Sequence, residues 1–69
     1  MNEAINNFQI SLAAARVNAN MTQQEVADKV HKSKNTIVNW EKGKAKPDFS
    51  ALTMLSVLYN VPIDYISVP

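Results

Sequence analysis

Cysteine is absent from the 69-residue chain, and glycine occurs once, at Gly43. Without cysteine there is neither a disulfide framework nor a thiolate metal site to support a small core. A single glycine argues for helices over turn-rich β structure, and it excludes a Gly-rich phosphate loop. The one histidine, His31, has no cysteine or second histidine beside which to bind a metal, so the sequence predicts no metal and no cofactor. No apolar run approaches the roughly 20 residues of a membrane helix. Met1-Asn2-Glu3-Ala4 lacks the basic and apolar regions of a signal peptide. The expectation is a soluble, cytoplasmic domain without membrane contact. A chain this short buries only about 60% of its extended surface. Barrels, doubly wound sheets and two-domain clefts are therefore excluded. What remains is one domain over residues 1–69, built from closely packed helices.

Acidic residues are scarce where basic ones gather. Six of the seven basic residues (Lys29, Lys32, Lys34, Lys42, Lys44 and Lys46) lie between positions 29 and 46, with Glu41 the only acid there. That window carries +5 and the rest of the chain −4, although the net charge is only +1. A local basic patch suits phosphate binding, but a solvated lysine face would look the same on charge alone.

Apolar spacing predicts five helices and no strand. Ile5, Phe8, Leu12 and Ala15 place a first amphipathic helix over Glu3 to about Asn18, with Arg16 beside Leu12 on its inner face. A charge on an inner face calls for a buried partner. Thr22-Gln23-Gln24-Glu25 is a capping box opening a second helix, flanked by the staple pair Met21 and Val26. Ser33 can cap a third helix that Gly43 would end in left-handed geometry. Ile37 and Trp40 form its inner face, with Glu41 adjacent, while Asn35, Val38, Asn39 and Lys42 point outward. Asp48 can cap a fourth helix with Phe49, Leu52, Leu55 and Tyr59 inward, and Asn60 can terminate it. Pro62 would open a short fifth.

Two short helices joined by His31-Lys32-Ser33, the second with a polar outer face, form a helix-turn-helix over about residues 22–42. A helix fits the major groove of B-DNA. Asparagine there suits adenine, lysine suits guanine, and valine can meet a thymine methyl. Asparagine is also a poor helix former, so Asn35 and Asn39 on one exposed face need a reason other than stability.

The chain resembles the Cro/lambda-repressor-like (XRE-type) helix-turn-helix family. The match runs from about residue 10 to 66: Arg16, Met21-Thr22-Gln23-Gln24-Glu25-Val26-Ala27, Ser33, Thr36-Ile37, Trp40-Glu41, Gly43, Pro47, Leu52, Leu55 and Val61-Pro62-Ile63-Asp64. The resemblance implies an all-α, five-helix DNA-binding domain, a transcriptional regulator of repressor type with no catalytic function. It also implies residue roles. Lys34, Asn35 and Asn39 would approach base edges, joined by Val38 on the same face. Gln23, Thr36 and the loop Lys42, Lys44 and Lys46 would meet phosphates. Arg16 and Glu41 would pair inside the fold. His31 and Lys32 depart from the family pattern, which favours glycine and then an apolar residue or threonine. Histidine tolerates left-handed geometry better than most residues. Lys32 extends the phosphate surface or points into solvent.

The partner expected is double-stranded DNA, read in the major groove at a pseudo-palindromic operator by a homodimer. The apolar C-terminal stretch makes Ile63, Tyr65, Ile66 and Val68 candidate dimer contacts, with core burial the alternative. A protein-interaction module such as an antitoxin is a competing reading, because fold does not fix function.

Overall fold

The computed structural model describes residues 8–69. Four α-helices, a 3-10 turn and a minimal sheet follow in the order β1 (Ile10–Ser11), α1 (Leu12–Asn18), α2 (Gln23–Val30), α3 (Lys34–Lys42), α4 (Phe49–Tyr59), the 3-10 turn Ile63–Tyr65 and β2 (Ile66–Ser67). The helical class is as the sequence predicts. Among the described residues the count is four rather than five, because the expected fifth helix is a single 3-10 turn.

Helix starts follow side-chain chemistry. Ser11, Thr22, Ser33 and Asp48 each accept a backbone amide of the first turn, which satisfies a donor the helix cannot. The capping box at α2 is complete: Thr22 Oγ1 accepts from the Glu25 amide at 3.0 Å, and Glu25 Oε1 accepts from the Thr22 amide at 2.8 Å. Helix ends follow backbone geometry. His31 (φ 59°), Gly43 (φ 80°) and Asn60 (φ 57°) close α2, α3 and α4 in left-handed conformation.

The first helix is shorter than predicted. It starts at Leu12, because Ser11 caps it and Ile10–Ser11 pairs in parallel with Ile66–Ser67. Gln9 Nε2 donates to the Asp64 carbonyl at 3.1 Å, and Phe8 meets Tyr65 edge-on at 5.7 Å. Ile5, part of the expected stripe, lies outside the described residues. Helix α4 also departs from expectation. Its inner stripe is Ala51, Leu55 and Tyr59, flanked by partly buried Leu52 and Leu58, whereas Phe49 is 75% exposed and Val57 78%. Apolar side chains occur all round α4, so spacing could not show which side faces in.

Every helix contributes to one core: Leu12 and Ala15, Val26, Ala27 and Val30, Ile37 and Trp40, Ala51, Leu55 and Tyr59, with Ile66 from β2. Ala27 has no exposed surface, and its small side chain lets α2 and α3 approach closely. Burial pushes the Tyr59 phenol up to about 12, with the Glu41 carboxylate adding and Arg16 opposing.

Beside this core sits a polar knot. Arg16 Nε donates to Glu41 Oε2 at 2.7 Å and Nη2 to Oε1 at 3.2 Å, while Nη1 donates to the Met21 carbonyl at 2.9 Å. Gln23 Nε2 donates to the same Oε1 at 3.0 Å. The side chains of Arg16 and Glu41 are 15% and 8% exposed. The hydrogen bonds to Glu41 raise the Arg16 pKa further above its already high value.

Glu41→Ala leaves a largely buried guanidinium without its counter-charge and is expected to cost about 3 kcal/mol. Glu41→Gln, which keeps one acceptor oxygen, should cost less; denaturant unfolding of both variants measures the difference, and a cost near zero for Glu41→Ala would show the pair to be solvent-screened. His31→Gly relieves left-handed strain and is expected to stabilise the domain by about 0.5–1 kcal/mol. Thermal unfolding checks this as a rise of roughly 2–8 °C in Tm.

Candidate nucleic-acid interface

The outer face of α3 is set by what its inner face does. Ile37 and Trp40 are buried and Glu41 is held by Arg16, so the residues half a turn away must face out. Those residues are Asn35 and Lys42, both exposed, with Val38 and Asn39 at intermediate exposure. Asn35, Val38, Asn39 and Lys42 therefore form one continuous strip along a helix of nine residues. Lys34 stands exposed at the first helical position.

The electrostatics of α3 are unusual for a free helix. Its first turn contains no acid and begins with a lysine, so positive charge meets the positive end of the helix dipole. That arrangement is unfavourable in isolation and becomes favourable where an anion approaches. Asn35 and Asn39 each present an amide with donors and an acceptor side by side, the pattern that bonds bidentately to an adenine edge.

The remaining candidates flank this strip. Lys32 is exposed in the connection between α2 and α3, and Lys42, Lys44 and Lys46 are exposed beyond it. The Asn39 carbonyl accepts from the Lys44 amide at 2.9 Å and the Ala45 amide at 3.4 Å, so the basic loop is tied to the end of α3. Thr36 shares a hydroxyl hydrogen bond with Ser33 at 3.0 Å, at the start of α3. Gln23 is half-buried with its amide nitrogen on Glu41, which leaves a second N–H on that nitrogen for a further acceptor. Arg16 and Glu41, which the family resemblance pairs, form an internal ion pair.

The C-terminal candidates are placed differently. Ile66 is 7% exposed and belongs to the core, because strand pairing with Ile10 draws it inward. Ile63 and Val68 are partly buried, and Tyr65, 39% exposed, is engaged by the Phe8 ring. The most exposed of the large apolar side chains among the described residues, Phe49 and Val57, do not stand out as surface groups in the sequence. The available signal is the absence of any charged residue from Phe49 to Tyr59. Among the described residues no three His, Asp or Glu side chains converge on a metal position, and no helix is long and apolar enough to cross a membrane.

This geometry has clear relatives. The HTH-type transcriptional regulator ImmR of Bacillus subtilis (strain 168) is 42% identical over 55 residues, covering 80% of this chain and 43% of the relative. The HTH-type transcriptional activator BcrR of Enterococcus faecalis is 33% identical over 57 residues, covering 83% and 28%. The cryptic phage CTXphi transcriptional repressor RstR of Vibrio cholerae is 34% identical over 56 residues, covering 81% and 50%. The matched region thus spans half or less of each of these relatives. No solved structure matches significantly. The family model described as "Helix-turn-helix" matches residues 12–66, and with α2 and α3 packed as the core and the Glu41 knot dictate, the chain belongs to the helix-turn-helix family.

Proposed function

We propose that the chain is the DNA-binding part of a transcriptional regulator, of repressor type, acting in the cytoplasm as a homodimer on a pseudo-palindromic operator. The observation that carries the reading is the outward strip Asn35–Val38–Asn39–Lys42 on a helix whose N-terminus bears Lys34 and no acid. Lys34, Asn35, Val38 and Asn39 read base edges in the major groove, while Gln23, Lys32, Thr36, Lys42, Lys44 and Lys46 hold phosphates on either side. The names of the relatives, a transcriptional regulator, an activator and a repressor, support this class of function.

Selection of bound duplexes from a random DNA pool at physiological salt tests the proposal. Enrichment of a pseudo-palindrome with half-sites about 34 Å apart, or a multiple of that, supports dimeric readout. Binding that is unselective and vanishes as salt rises would leave only a basic patch and favour an interaction module such as an antitoxin.

Two substitutions separate readout from positioning. Asn39→Ala is expected to cost about 1–3 kcal/mol on cognate DNA and to relax specificity at one base pair per half-site. Equal weakening on cognate and random DNA, measured by titration, would remove it from the base-reading set. Lys44→Ala should weaken all duplexes alike and lower the slope of log affinity against log salt by about one for each phosphate that Lys44 neutralises. An unchanged slope would show that Lys44 meets no phosphate.

A further inference from the structure

Helix α4 has an outward face that nothing among the described residues covers. Phe49, Thr53 and Val57 recur at four-residue intervals on it, opposite the buried Ala51, Leu55 and Tyr59, with the partly exposed Met54 alongside. Thr53 contributes little polarity, because its hydroxyl donates back to the Phe49 carbonyl at 2.9 Å. A shallow apolar groove of about 330 Å³ runs between this face and α2, lined by Lys29, Val30, Thr53, Met54, Val57 and Leu58.

We propose that this face is where a second copy of the chain docks, in an antiparallel α4–α4 pair about a twofold axis near Thr53. The pattern is self-complementary. With Thr53 at the centre, Phe49 of each copy lies over Val57 of the other, as an isologous contact requires. No residue of α4 is charged, so like faces meet without repulsion. The rim carries charges of both signs. Lys29 lines the groove together with Val57, and Asp48 lies with Ser50, Met54 and Lys32 in the neighbouring depression at the start of α4. Antiparallel pairing brings Lys29 of one copy toward Asp48 of the other, twice by symmetry. Asp48 uses Oδ1 to cap α4 and has its second oxygen for that contact. None of Lys34, Asn35, Val38 and Asn39 lines the groove, so the proposed contact does not use the α3 strip.

The contact involves few side chains, well short of a standard interface of about 1,600 Å². The expected association is therefore weak, in the micromolar range. It names the interface of the homodimer proposed above, and it is tested without DNA, so failure of the DNA reading leaves it standing. Sedimentation of the chain from low micromolar to millimolar concentration should show a monomer–dimer equilibrium. Phe49→Ser and Val57→Glu should each weaken it about tenfold or more, with circular dichroism unchanged and melting temperature unchanged at concentrations where the chain is monomeric, because both side chains are exposed. The chain lacks cysteine, so Thr53→Cys gives a clean trap: oxidation should yield a disulfide dimer, since a twofold near Thr53 brings the two Cα atoms within bridging distance. Tyr65→Cys, on the C-terminal surface, should not. If Val57→Glu fails to fold, the trapping comparison decides. A chain monomeric throughout, a dimer indifferent to both substitutions, or trapping at position 65 in preference to 53 would each overturn the proposal, the first leaving α4 to a different protein.

Discussion

One carboxylate coordinates three helices. Glu41, near the end of α3, accepts two hydrogen bonds from Arg16 on α1 and one from Gln23 at the start of α2. The third arm of Arg16 holds the Met21 carbonyl, just before the capping box. Hydrophobic burial brings these helices together but is non-directional, so it tolerates small rotations about each axis. The knot does not, because a bidentate guanidinium–carboxylate pair works only in one orientation. Rotation of α3 by half a residue would misplace Glu41 and swing the Asn35–Asn39 strip with it. The ion pair is thus less a source of net stability than a means of aiming the outer face of α3.

The parts legible from sequence are those governed by local chemistry. The Thr22–Glu25 box, the Ser33 and Asp48 caps and the left-handed Gly43 and Asn60 ends each need only a few neighbouring residues, and all stand where expected. The phase of α3 is legible because Ile37 and Trp40 contrast with two asparagines. Spacing puts Arg16 and Glu41 on inner faces, and the family resemblance supplies their pairing.

What is hidden has either no period or no contrast. The sheet of β1 and β2 is two residues per strand, too short for alternation to register, and its partners lie at opposite ends of the chain. Apolar spacing therefore runs Ile5 and Phe8 into a longer first helix with Leu12 and Ala15, although Ser11 carries the chemistry of the cap it is. In α4 the failure is one of contrast: with apolar residues on every side, the inner stripe is decided by Ala51 fitting close to its neighbours while Phe49 sits at the first helical position. The candidate site is visible as a face in the sequence, whereas the second exposed surface is not.

The β1–β2 clasp has a kinetic consequence. Gln9 and Asp64, which flank it, are 55 positions apart, while the caps and turns span three to six. Closing so long a loop is entropically costly until the intervening helices have shortened the distance. The clasp must then form late, after α1 to α4 have assembled. A contact made after the barrier slows escape from the native state without hastening arrival. The two short strands act as a latch, setting how long the domain stays folded more than how quickly it folds.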